Sequence, residues 1–220
     1  MMEKLLIILL PLIFLGLFIT RNLIVKFRTK QRIRTSDPLV TAAIIITSLS
    51  ICMTIESTLS EAFYQHTGII WFLRSTFISY LGLIFFGISF IAGAVFSSHL
   101  KESWRVGIPY DQKTELIQSG IYAYIRNPYF LSYFIMFFSL FLIRPSIVVM
   151  VLVIAAIFIF HRMVLKEEVY LLTVHAKAYQ NYKQKTGRYF PKIKQGWALE
   201  IDGEVYMKAR TRSNRMVLGK

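Results

Sequence analysis

The chain has 220 residues, with 26 Lys and Arg against 12 Asp and Glu, and a formal net charge of +14 at pH 7. Hydrophobic residues make up 55% of it and the mean hydropathy is +0.51, which excludes an ordinary soluble domain and puts the membrane class first. The one cysteine, Cys52, lies inside an apolar run, so neither an intrachain disulfide framework nor a cysteine-based zinc site is available.

In chain order, residues 5–20 (LLIILLPLIFLGLFIT) predict a first span. It reads as uncleaved, because Phe18-Ile19-Thr20 is not a small-residue cleavage site, and Pro11 is tolerated as a kink. Residues 39–55 predict a second span. Residues 69–97 hold a third, with its helix expected from Thr76 because Arg74 sits poorly in hydrocarbon. Residues 129–143 and 147–160 are shorter runs separated by Arg144-Pro145-Ser146. Each reaches about 21–23 Å at ~1.5 Å per residue, short of a ~30 Å hydrocarbon core. They predict a tight helical hairpin helped across by its flanks. Beyond it, Val169, Leu172, Ala176, Tyr179 and Tyr182 recur at steps of three and four, an amphipathic helix from Glu167 that ends near Thr186-Gly187, before Pro191. Last, "ALEIDGEVYM" alternates around Asp202-Gly203, a two-residue hairpin signal.

The basic residues set the expected orientation. Of the 26 Lys and Arg, 23 fall in 21–34, 98–128 and 162–220, which leaves Lys4, Arg74 and Arg144 for the opposite side. Five alternating spans satisfy this split, with the N-terminus outside and the C-terminus in the cytoplasm, in the cytoplasmic (inner) membrane. No basic helix or aromatic-interleaved patch stands apart from the membrane, so anionic lipid headgroups, not nucleic acid, are the expected partner. The expected class is an all-α integral membrane protein of about five transmembrane helices, with a short terminal hairpin and a cytoplasmic amphipathic helix. Its organisation reads as two N-terminal spans over 1–68, a membrane core over 69–192 and a basic cytoplasmic tail over 193–220.

Chemistry is expected where 98–128 and the segment after the hairpin meet. In "GIYAYIRNPYF" (120–130), Pro128 suits a first helical position, Asn127 an N-cap, and Arg126 the positive side of the membrane. A capped anchor accounts for all three. A helix start beside an arginine also attracts a carboxylate or phosphate. In "LKEEVYLL", Glu167 and Glu168 read either as first-turn acids of a helix or as ligand carboxylates. The hairpin returns the chain to the face it left, so the two places must meet. Anion-binding backbone facing carboxylates suits a zwitterion with a cationic centre, and S-adenosylmethionine is such a ligand. His161 reads as interfacial, Trp71 and Trp104 as belt anchors, and His66 and His99 lack metal-ligand spacing.

"SWRVGI" (103–108), "TELIQSGIYAYIRNP" (114–128), "EEVYLL" (167–172) and "AYQNYKQKTGRYFP" (178–191), in this order around a hairpin, resemble the isoprenylcysteine carboxyl methyltransferase family. The likeness covers roughly 75–192 and is strongest to bacterial-type members, which often have Arg-Asn-Pro where eukaryotic ones have Arg-His-Pro. The wider superfamily also holds phospholipid N-methyltransferases. The resemblance implies an S-adenosylmethionine-dependent methyltransferase buried at the membrane, acting on a lipophilic small molecule or lipid-modified substrate. It implies that Gly107, Thr114, Glu115, Leu116, Ile117, Tyr122, Asn127, Pro128, Tyr129, Phe130, Glu167 and Glu168 line the cofactor, and that no metal takes part. Arg126, Asn127 and Arg162 are the candidates for direct roles in the reaction. The chain departs from the pattern twice. Asn127 replaces a histidine, removing a titratable acceptor. Met163 stands where the family has the arginine that holds a substrate carboxylate, with Arg162 beside it. The rival readings are a phospholipid or amine N-methyltransferase, an NADPH-dependent membrane reductase and a non-catalytic membrane protein. The final Val217-Leu218-Gly219-Lys220 is no prenylation motif, so self-modification is not expected.

Overall fold

A computed structural model describes residues 2–29, 37–99, 116–192, 198–201 and 204–207. The elements are α1 (Met2–Thr29), α2 (Pro38–Leu59), the short α3 (Glu61–His66), α4 (Thr76–His99), α5 (Pro128–Ile143), α6 (Ile147–Lys185), and strands β1 (Ala198–Ile201) and β2 (Glu204–Met207). The protein is an all-α membrane protein with one small hairpin. Among the described residues, α2, α4 and α6 are long and apolar enough to cross a membrane. Helix α5 has 16 residues, about 24 Å of rise. Pro11 lies within α1. β1 and β2 pair antiparallel with Ile201 opposite Glu204, the register a two-residue connection at 202–203 demands.

The long helices alternate in direction, as a few contacts show. At one end, the Asp37 carboxylate before α2 meets Lys166 of α6 at 2.5 Å, and the Tyr122 hydroxyl ahead of α5 donates to the Phe96 carbonyl of α4 at 3.4 Å. At the other, Ser79 of α4 donates to the Ile143 carbonyl at 3.0 Å, and Ile7 of α1 packs with Leu83 and Ile143. The first is the open end of the α5–α6 hairpin, and the second, holding the 144–146 turn, is its closed end. Between them lies one apolar core to which α2 gives Ala43, Ile46 and Ile51, α4 Phe86, α5 Tyr133, Met136, Phe137 and Leu140, and α6 Val149, Val153, Ala156 and Phe160. Helices α4 and α5 approach closely because Gly82 has no Cβ, and one built there would sit 2.8 Å from Ile143.

The turn at the closed end is supported by backbone from before α4. Ile147 and Val148, whose N–H groups lack intrahelical acceptors, donate to the carbonyls of Gly68 and Thr67 at 2.8 and 3.2 Å. Ser146 caps α6, its hydroxyl accepting from the Val149 N–H at 3.3 Å.

Two expectations are corrected here. The second hairpin arm and the amphipathic helix are not separate: α6 runs 39 residues from one to the other, with a break only at Ala176 (φ 40, ψ −115). The change from apolar to polar composition after residue 160 alters what the helix faces, not its backbone bonding. Nor do Val169, Leu172, Ala176, Tyr179 and Tyr182 form one buried stripe. The first three are exposed and the two tyrosines buried, because the break at Ala176 shifts the phase and Glu168 takes the inward position beside Val169.

Candidate active site at the open end of the hairpin

The approach to α5 is a single turn of 3-10 helix, Gly120–Ala123, entered through Gly120 at φ 62. It buries Tyr122, whose carbonyl accepts from the Tyr182 hydroxyl at 2.6 Å and so ties the approach to the far part of α6. The chain then runs beside the segment that follows α6. Ile125 bridges Gly187 in parallel, the Gly187 N–H donates to the Tyr124 carbonyl at 3.2 Å, and the N–H groups of Arg126 and Asn127 donate to the carbonyls of Gly187 and Arg188 at 2.8 and 3.1 Å. Gly187 permits the tight turn that follows it: a Cβ there would stand 1.6 Å from the Phe190 carbonyl oxygen.

Pro128 opens α5, and Asn127 occupies the N-cap position but makes no side-chain cap bond. Its amide is used across the fold instead. Nδ2 donates to Glu168 Oε1 at 3.0 Å and lies 3.5 Å from the Arg188 carbonyl. The cap signal places the helix start correctly, while a buried carboxylate takes the side chain.

That carboxylate organises the end of the molecule. Oε1 of Glu168 accepts from Arg126 Nε at 3.2 Å and Nη2 at 3.1 Å, and from Arg188 Nε at 3.0 Å; Oε2 accepts from Arg188 Nη2 at 2.9 Å. The remaining Arg126 nitrogen donates to the carbonyls of Lys183 and Thr186. Both Glu168 and Arg126 have side chains only 6% exposed, so the charges compensate each other out of water. The Glu168 hydrogen bond raises the Arg188 guanidinium above its ordinary value, against a smaller opposing effect of burial. Burial pushes the Tyr189 hydroxyl up to about 12, and that hydroxyl shares a 2.8 Å hydrogen bond with His161 Nδ1.

Glu167 differs sharply from its neighbour. It is half-buried and has no hydrogen-bond or ion-pair partner among the described residues. Tyr179, 1% exposed, lies within electrostatic reach of Glu167 and Glu168 and beside the Arg126 guanidinium, and among the described residues its hydroxyl makes no hydrogen bond of ordinary geometry. A half-buried carboxylate and a buried hydroxyl thus lie beside a saturated ion cluster.

Of the expected site residues, Tyr122, Arg126, Asn127, Pro128, Tyr129, Phe130, Glu167 and Glu168 are brought to this end. Tyr129 packs edge-on against Tyr133 with ring centroids 5.3 Å apart. Leu116 and Ile117 lie half-buried on the extended approach to the 3-10 turn. Gly107, Thr114 and Glu115, with Trp104, lie outside the described residues. Arg162 is exposed, whereas Met163 is half-buried against the apolar core. Among the described residues no His, Cys, Asp and Glu cluster could hold a metal. The sequence reading assigned no role to Arg188 or Tyr179. The Gly187-Arg188 pair, a tight-turn residue followed by a cation within a resembling motif, was the available signal.

Residues 77–178 match the family model described as phospholipid methyltransferase. This is the wider superfamily that the motifs resemble, and the match runs from α4 to residue 178, just past the break in α6. No curated protein matches the chain.

Proposed function

We propose that this protein transfers a methyl group from S-adenosylmethionine to a lipophilic acceptor, in the cytoplasmic membrane with the open end of the hairpin facing the cytoplasm. One observation carries the reading. The asparagine-proline helix start and the paired glutamates, 41 residues apart, adjoin through the 3.0 Å bond between Asn127 and Glu168, and Glu167 beside it has no partner among the described residues. The donor set fits the cofactor. A free, half-buried carboxylate suits the positive charge of a methionyl amine or sulfonium, and the Tyr179 hydroxyl suits a polar group of the same ligand. When bound, S-adenosylmethionine supplies an electrophilic methyl on a cationic sulfur.

The protein's own contribution is positioning and exclusion of water. Tyr129 and Phe130 bring aromatic side chains to this end, Glu167 fixes the cation, and the Glu168 cluster holds the two segments together. A carboxylate acceptor needs no base, since it is already ionised near neutral pH. An amine acceptor must lose a proton, which Asn127 cannot take. A second reading within the class is N-methylation of an amine headgroup. Two observations favour it: the family match is to phospholipid methyltransferases, and Met163 packs on the core where a carboxylate-binding arginine is expected.

The test is a thermal-shift comparison on full-length protein in detergent, with S-adenosylhomocysteine and NADPH as probes, followed by incubation of membranes with radiolabelled S-adenosylmethionine. Stabilisation by S-adenosylhomocysteine and label in a lipid fraction are expected. Stabilisation by NADPH alone replaces this reading with a reductase, and binding of neither probe replaces it with a non-catalytic protein.

A further inference from the structure

Residues 186–189 lie beyond the family match, which ends at 178, yet they are tied to both arms of the hairpin. Gly187 and Arg188 take the backbone N–H groups of Arg126 and Asn127 on their carbonyls. The Arg188 side chain grips both oxygens of Glu168 at 3.0 and 2.9 Å. Tyr189 reaches His161 with its hydroxyl and packs its ring edge-on against Phe134, centroids 5.1 Å apart. The segment is a strap across the open end, and Arg188 is its charged fastening.

Arg188 also changes what Glu168 can do. Arg126 and Asn127 already saturate Oε1 from the α5 side, whereas among the described residues Oε2 receives only Arg188. Without Arg188, that oxygen is a buried acceptor with no donor, a costly state that a cationic ligand or water relieves. With Arg188 in place, the two adjacent glutamates divide their work: Glu168 fastens the fold and Glu167 remains open.

We propose that Arg188 is a positioning residue of the methyl-donor site. By sharing the Glu168 carboxylate with Arg126, it latches the 186–189 strap against the start of α5, keeps Glu168 out of the ligand's reach and leaves Glu167 as the carboxylate that meets a cation. The inference rests on the methyl-donor reading for its ligand, but the latch itself does not.

Two measurements on the full chain in detergent separate these parts. Hydrogen exchange of the amides of Arg126, Asn127 and Gly187, which bond between the strap and the start of α5, reads the latch with no ligand present. R188Q is expected to raise it about tenfold, and unchanged exchange overturns the latch. Calorimetric titration with S-adenosylmethionine reads the positioning. R188Q is expected to weaken binding about tenfold, R188K by less because it keeps the charge without the two-pronged grip, and Y189F by under about twofold because it spares Glu168. An R188Q protein that binds as tightly as wild type overturns the positioning role. So does a Y189F protein that loses as much as R188Q, since the strap's docking alone then explains the effect. If wild-type protein binds no S-adenosylmethionine, the methyl-donor reading fails, and the exchange result still decides the latch.

Discussion

The two ends of the α5–α6 hairpin satisfy their inward arginines differently. At the closed end, Arg74 and Arg144 lie 5.3 and 5.6 Å from the ring centroid of buried Tyr64, Arg144 donates to the Thr58 hydroxyl at 3.1 Å, and Arg74 pairs with Glu61, whose side chain is 54% exposed. Burial raises the Tyr64 hydroxyl above its ordinary value, with both arginines opposing, so it stays neutral and donates to the Pro145 carbonyl at 3.1 Å. At the open end, Arg126 and Arg188 converge on a carboxylate that is 6% exposed. Taking such charges out of water costs several kcal/mol per ion before attraction repays it. The closed end shows that one end of this hairpin can be held by neutral groups and a partly solvated ion pair. The buried charges at the other end are therefore not a general requirement of the architecture, and their placement beside an unpartnered glutamate fits an ionic ligand site.

The sharpest way to break this contrast is Glu168→Ala. It strands Arg126 without its counter-charge and should cost about 3–5 kcal/mol of stability by denaturant unfolding. A loss below about 1 kcal/mol would show that the cluster is solvated and the two ends are alike. Next is Gly187→Ala, whose Cβ meets the Phe190 carbonyl. A cost of about 1–3 kcal/mol is expected, with faster proteolysis after residue 185, and a neutral result would mean the turn through 187–190 is not held tightly. Arg144→Gln should be milder, about 1 kcal/mol, because among the described residues it forfeits one hydrogen bond to a neutral hydroxyl and a cation–π contact, and strands no buried counter-charge. A loss equal to that of Glu168→Ala would erase the difference between the ends.

The smallest effect expected is pH-linked. Burial raises the Asp37 carboxyl, but the Lys166 hydrogen bond, the Leu39 N–H and the Lys166 charge together outweigh it, and the net shift is downward. A lowered folded value means the stabilisation is complete above the unfolded value, near about pH 4, and is lost as pH falls through the folded one. Comparing wild type with Asp37→Asn, which keeps a cap but not the charge, should show a gap of about 0.5 kcal/mol at neutral pH that closes under acid and shrinks with salt. A gap independent of pH would remove the ion pair as its cause.

What could be read from the sequence, and what could not, follows from range. Arg74 marked the boundary of the third span, and α4 indeed begins at Thr76. Arg144-Pro145-Ser146 marked the hairpin turn, and Asp202-Gly203 sits between two paired strands. These are local signals set by neighbouring residues. The break at Ala176 has no such signal, because alanine is the residue most favourable to a helix. The use of Asn127 is likewise hidden. Its local preference is to cap, and only the return of α6 offers a stronger partner. Glu168 and Arg188 are 20 residues apart with a helix break between them, so no periodicity pairs them. The meeting of the two segments was legible because a hairpin must return, but which glutamate would be saturated and which left free was not.

The most direct test of the central claim is calorimetric titration of S-adenosylmethionine into wild-type and Glu167→Gln protein, full length and in detergent. The substitution keeps the shape and hydrogen-bonding capacity of the side chain and removes its charge. Measurable binding by wild type and a loss of about tenfold or more in Glu167→Gln, with the unfolding midpoint unchanged, is the expected result. Equal affinity in the two proteins would contradict the account, because the free carboxylate would then have no part in holding the ligand.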